Sequence, residues 1–152
     1  MKYLKTYENW FTNLFKNDGI NQITRDFLAD MIGDGYNPLM DAAYDGNWNR
    51  FKELLPKFIK QINDIHTIYL DSGVEEYMNV LLYVVCGKGD NWEKKKMISA
   101  LIENNVDVHF ESNEKNFYEM IKSPKLKKWI EETYPQIISD LLLQKSIKKY
   151  NL

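Results

Sequence analysis

The chain has 152 residues, enough for one domain that buries a sizeable core. It is 44% hydrophobic, 14% aromatic and 28% charged, with a formal net charge of −2, which is ordinary for a globular protein and excludes a disordered or fibrous chain. The single Cys86 excludes an internal disulfide framework and fits a reducing compartment; no apolar run nears the roughly 20 residues that span a bilayer, so no membrane partner is expected.

MKYLKTYENW at the start lacks the apolar core of a secretory signal, so a cytoplasmic protein is expected. Residues 3–16 set Leu4, Tyr7, Phe11, Leu14 and Phe15 at a helical period, and Asn17-Asp18-Gly19 stops that amphipathic helix. Residues 22–32 bring Ile23, Phe27, Leu28, Met31 and Ile32 to one side, a second short helix ended by Gly33-Asp34-Gly35. Residues 37–45 predict a compact helix with Asn37 as cap and Pro38 in the first position. Ala42 and Ala43 let a neighbouring helix approach closely. Gly46-Asn47 breaks the chain before a helix over 48–58, which Pro56 ends or kinks near Leu55.

Residues 62–78 form a long connection. Ile65, Thr67, Ile68 and Tyr69 favour extended structure and Asp71-Ser72-Gly73 signals a turn, so a β-hairpin or a short helical finger is expected. Residues 79–86 repeat the compact helix, 87–90 form a loop, and 92–103 the paired helix. Residues 106–112 read as extended. Helices over 114–121 and 125–133 form a third, tighter pair around Ser123-Pro124. A last amphipathic helix at 136–149 carries Ile137, Ile138, Leu141, Leu142 and Ile147. No linker or low-complexity tract interrupts this order, so residues 1–152 read as one domain.

Residues 20–43 match residues 62–85 without a gap, 42 positions apart. An internal period of this size marks a chain that stacks one supersecondary unit. Charge follows the same period. From Asp26 to Asn49 there are five Asp and no Lys or Arg; from Gln61 to Gly87 there are four acidic residues and again no Lys or Arg. Basic residues collect around Arg50 to Lys60, Lys88 to Lys96, Lys122 to Lys128 and at the C-terminus.

The segment DGYNPLMDAAYDGNWNRFKELL at 34–55 resembles the ankyrin repeat. Asn37, Pro38 and Leu39 stand for its Thr-Pro-Leu, Met40 replaces its His, and Ala42, Ala43, Gly46, Leu54 and Leu55 match directly. A second copy has Asn79, Leu81, Val84 and Val85, then Leu101-Ile102-Glu103-Asn104-Asn105-Val106-Asp107-Val108-His109 as its ending. A shortened third copy fits Asn116 to Glu132. The resemblance implies a mostly α, ankyrin-like helical repeat solenoid with extended hairpin or loop fingers and additional terminal helices. Its parts would be N-terminal cap helices at 1–33, repeats at 34–66, 76–109 and 114–134, and a C-terminal helix at 136–150. It departs from the family in its connections before Asn37 and Asn79, each about eight residues longer than the family's hairpin.

Catalytic chemistry finds little support. His109 takes the place of a structural Asn in that ending, and His66 lies in the finger with no Cys or second His nearby to make a metal site. Glu75-Glu76 are adjacent and make no spaced acid–base pair. Gly87-x-Gly89 lacks the Gly-Lys-Ser/Thr of a phosphate loop. Cys86 reads as a small buried residue, Trp48 and Trp92 as core, and Lys94-Lys95-Lys96 as a solvated run. No cofactor and no metal are expected.

The ankyrin resemblance places partner binding on the finger tips and the exposed side of each first helix. Carried over, that concave face holds Asp34, Tyr36, Asp41, Tyr44 and Asp45, with Glu75, Glu76, Tyr77 and Met78 from the second repeat. Carboxylates and aromatic anchors without a cation suit a protein partner with a basic surface, and not nucleic acid. On this expectation, reversing Asp41 and Asp45 to Lys weakens binding and leaves helical content intact. The Asn-, Lys-, Ile- and Tyr-rich composition is in the style of AT-rich viral or phage products, which suggests an inhibitor of a host defence protein. The alternative expectation is a self-associating protein that sequesters a small molecule or nucleotide.

Overall fold

The computed structural model describes residues 35–69, 72–73 and 75–150. The helices expected at 3–16 and 22–32 lie outside these residues. The described chain is mostly helical, with one two-stranded sheet. Its order is α1 (Pro38–Asp45), α2 (Trp48–Leu54), a 3-10 turn (Ile59–Gln61), β1 (His66–Tyr69), β2 (Glu75–Met78), α3 (Val80–Cys86), α4 (Asn91–Glu103), α5 (Phe117–Met120), α6 (Pro124–Thr133) and α7 (Pro135–Tyr150).

Capping side chains start these short helices. Asn37, Asn79 and Asn116 each accept a hydrogen bond from the backbone N–H three residues on, at Met40, Leu82 and Glu119, all at 3.0 Å. Asn47, Asp90 and Ser123 do the same for α2, α4 and α6. Asp90 and Glu93 form a reciprocal capping box, as do Asn116 and Glu119. Such caps are worth about 1 kcal/mol each, which matters for helices too short to be stable alone.

The helices pack in two rows. α3 lies against α1 on one side and α5 on the other, while α4 lies against α2 and α6, and α7 packs on α6. Six of the seven residues of α3, Val80 to Val85, are buried. A helix apolar all round is one covered all round. Leu39, Met40, Phe51, Met97, Ile98, Leu101, Phe117, Leu126 and Ile130 complete the core around it. Side-chain amides tie neighbouring units together: Asn63 Nδ2 donates to Asn105 O at 3.3 Å, Asn63 Oδ1 accepts from Asp107 N at 2.7 Å, and Asn79 Nδ2 donates to Asp107 O at 3.2 Å.

The first two units also touch through their loops. Gly46 caps α1 with φ +69°, and a Cβ there would fall 2.3 Å from the Gly89 Cα. The Lys88 N–H donates to Tyr44 O at 2.7 Å beside it. Gly46→Ala is therefore expected to cost about 1–3 kcal/mol from backbone strain, before the clash with Gly89 is counted. Gly73→Ala meets nothing within 4 Å at φ +79° and isolates the strain alone. Chemical denaturation of both variants checks the order, with Gly46→Ala the more damaging.

Three expectations need correction. Residues 106–112 form no strand. The chain turns at Asn105 (φ +62°), and only Ser112 bridges to Lys115, around Asn113 and Glu114 with φ +52° and +64°. Two successive left-handed residues make the tightest hairpin connection, so this finger is shorter than that at 66–78. The helix expected at 114–121 has four residues rather than eight: the left-handed turn at Asn113 and Glu114 delays its start to Phe117, behind the Asn116 cap, and Ile121 turns extended at its end. The helix begun at Trp48 ends at Leu54, beside the Leu55 end that Pro56 predicts. Cys86, read as buried, is exposed.

Candidate functional site

The finger at 66–78 is a β-hairpin, and its register sorts the side chains. His66 pairs with Met78, Thr67 with Tyr77, Ile68 with Glu76, and Tyr69 with Glu75, antiparallel. Because side chains alternate, His66, Ile68, Glu76 and Met78 share the inner face, and Thr67, Tyr69, Glu75 and Tyr77 the outer one. Ile68 and Met78 are buried and Glu76 is half-buried. Tyr69 is 63% and Tyr77 43% exposed, with Glu75 exposed between them. The Tyr77 hydroxyl donates to the Glu75 carboxylate. That bond and the nearby negative charge hold the phenol above its ordinary pKa.

A buried polar chain anchors the hairpin. His66 is fully buried, with Nδ1 2.6 Å from the Tyr83 hydroxyl of α3. The two rings stack at 6.0 Å between centroids, and Tyr36 meets the His66 ring edge-on at 4.9 Å. The Tyr36 hydroxyl donates to Asp41 Oδ1 at 3.0 Å, and Arg50 Nη1 donates to Asp41 Oδ2 at 2.5 Å. Burial of Asp41 is tolerable because both carboxylate oxygens are paired.

These contacts redraw the predicted partner face. Tyr36, Asp41 and Met78 are buried, so they hold the fold and are closed to a partner. Asp41 faces α2, where Arg50 draws it in. Tyr44 and Asp45 are half-buried, and neither lies in a basic-free setting: Lys88 Nζ is 3.5 Å from Asp45 Oδ1 and 5.3 Å from the Tyr44 ring centroid. Asp34 lies outside the described residues. Glu75 and Tyr77 do come together, joined by Tyr69, which the sequence reading left out although the Thr67–Tyr69 alternation pointed to it. Glu76 turns to the opposite face.

The other chemically suggestive residues are separate. His109 is exposed in a turn, its N–H donating to Asp107 Oδ1 at 2.9 Å. Among the described residues, no three His, Cys, Asp or Glu side chains are grouped to hold a metal ion. Cys86 ends α3 with Lys94 and Lys122 near it. Although the residue as a whole is exposed, partial desolvation of its thiol raises the pKa and outweighs the pull of the two lysines in the other direction. Lys94 donates to Val85 O at 3.1 Å, and burial lowers its own pKa. The thiol is thus kept protonated. We expect Cys86 to alkylate with iodoacetamide more slowly than glutathione at pH 7.5; a faster reaction would contradict this environment.

The tryptophans depart from their core assignment. Trp48 is half-buried and stacks on Phe51, with centroids 6.2 Å apart, but Trp92 is 59% exposed. An open groove of about 400 Å³ runs over α2, α4 and α6, walled by Trp48 and Trp129 with Lys95 and Lys96 between them. Among the described residues no helix is long and apolar enough to cross a membrane. Comparisons with protein-family models, curated proteins and solved structures find no match to this chain.

Proposed function

We propose that this chain is a non-catalytic, ankyrin-like protein-binding module that grips a basic protein surface through the outer face of its 66–78 hairpin. Three helix pairs, each begun by an Asn cap and set in two rows, support the repeat reading, as do the 42-residue echo and the motif at 34–55. The observation that carries the binding role is the patch of Tyr69, Glu75 and Tyr77, exposed on a hairpin whose sequence from Gln61 to Gly87 has no Lys or Arg. Tyrosines are efficient anchors because they offer large amphipathic area with few rotatable bonds. The viral or phage style of the composition makes a host defence protein the partner to seek, with the module acting as its cytoplasmic inhibitor.

The test is affinity capture from host extract, comparing the native chain with the Glu75→Lys, Tyr77→Ala double variant. Both changes lie on an exposed face, so circular dichroism should not change. Loss of a captured protein is expected. For that protein, Tyr77→Ala should weaken binding by about 1–2 kcal/mol, mainly through faster dissociation. Glu75→Lys should slow association about tenfold at low salt and less at high salt. Equal capture by both chains would refute the hairpin as the binding face.

A further inference from the structure

The groove over α2, α4 and α6 has the opposite character to the hairpin. Lys96 Nζ sits 3.3 Å from the Trp92 ring centroid and 5.6 Å from that of Trp48, and Lys95 Nζ lies 5.7 Å from that of Trp129. Neither lysine makes an ion pair among the described residues. The groove is thus an aromatic cleft with two ammonium groups in no ion pair, and with the Glu103 carboxylate also on its wall. On the hairpin, Glu75 has the Tyr77 hydroxyl as its partner and no cation among the described residues.

We infer that the hairpin's outer face docks into the Trp–Lys groove of a second copy of this chain. Glu75 would meet Lys95 and Lys96, while Tyr69 and Tyr77 lie on the tryptophan rings, where they add π faces around the same cations. This inference rests on the hairpin being a binding face, and names a partner for it. The hairpin is anchored to the α1–α3 row through Tyr83 and Tyr36, and the groove lies on the α2–α4–α6 row. One chain does not bring its own two surfaces together, so the contact joins unlike faces of two copies and is head-to-tail. A single hairpin face is far below the size of a standard interface, so the association is weak and salt-sensitive.

Sedimentation equilibrium tests this over about 10–500 µM, the range a small interface calls for. At about 50 mM salt the average mass should climb above the 18.1 kDa monomer as concentration rises. At about 500 mM salt the association constant should drop at least about tenfold. Glu75→Lys alone, and Lys95→Glu with Lys96→Glu, should each stay monomeric. Their equimolar mixture should associate again, because one variant keeps the native groove and the other the native hairpin.

Three results would overturn the inference. One is a monomeric native chain throughout. A second is association kept by both variants, which would assign self-contact to the exposed Leu143, Ile147 and Tyr150 face of α7. A third is a monomeric native chain that binds a twelve-residue oligothymidylate, with binding lost in the Lys95, Lys96 variant; that would assign the groove to single-stranded nucleic acid. A monomeric chain whose Glu75→Lys, Tyr77→Ala variant still loses its captured protein sinks self-docking alone and leaves the hairpin's role standing.

Discussion

Asp41→Ala is expected to lower stability by about 3–5 kcal/mol, the cost of breaking a buried ion pair from one side. The carboxylate is 1% exposed and the paired Arg50 side chain 17%. Removing the acid leaves a largely buried guanidinium without its counter-charge and the Tyr36 hydroxyl without that acceptor. A loss this large is a major fraction of a small domain's total. Replacing both partners, Asp41→Leu with Arg50→Met, should recover much of the loss, because two apolar groups demand no pairing. Urea unfolding of the native, single and double variants checks this. A single variant within about 0.5 kcal/mol of native would place Asp41 in solvent. The outcome bears on function, because reversing Asp41 to Lys would abolish binding by unfolding the chain. The expectation that such a reversal leaves helical content intact fails for the same reason.

Tyr83→Ala should cost about 3–5 kcal/mol, as for other large aromatic truncations in a packed core. Tyr83 is fully buried in α3, between the rings of Tyr36, Tyr44 and His66. The same side chain holds the hairpin through His66, so fold and candidate site share this one anchor. Tyr83→Phe separates the two roles. It keeps the packing and removes the 2.6 Å contact with His66 Nδ1, at a cost of about 1–3 kcal/mol. Thermal unfolding measures both variants. In Tyr83→Phe, hydrogen exchange should also quicken at 66–69 and 75–78 more than in α4. A uniform change would mean that the hydroxyl steadies the whole core and does not specifically hold the hairpin.

Much of the helical frame was legible because its signals are local. Asn37 and Pro38 announce α1, Asn79 begins α3 one period later, and Pro56 ends α2. The hairpin was narrowed to one of two forms by β-branched residues on one arm and a Gly turn. What escaped depends on partners distant in sequence. Asp41 looks solvated until Arg50 arrives from the next helix. His66 looks like a finger residue until Tyr83, 17 positions on, takes its nitrogen. Glu75, Glu76, Tyr77 and Met78 read as one continuous surface; only the register against 66–69 shows that two point in and two out. Val106, Val108 and Phe110 alternate like a strand, yet the left-handed turn at Asn105 and the amide bonds from Asn63 and Asn79 hold the segment as a loop. Trp92 was assigned to the core by residue type, which carries no information on which side of α4 lacks a neighbour.

Hydrogen–deuterium exchange on the chain bound to its captured protein tests most directly whether the outer hairpin face is the binding surface. Protection is expected at amides within 67–77, with the Glu75→Lys, Tyr77→Ala chain showing none. Protection confined to α4 or α7, with 67–77 exchanging as in the free chain, would contradict it.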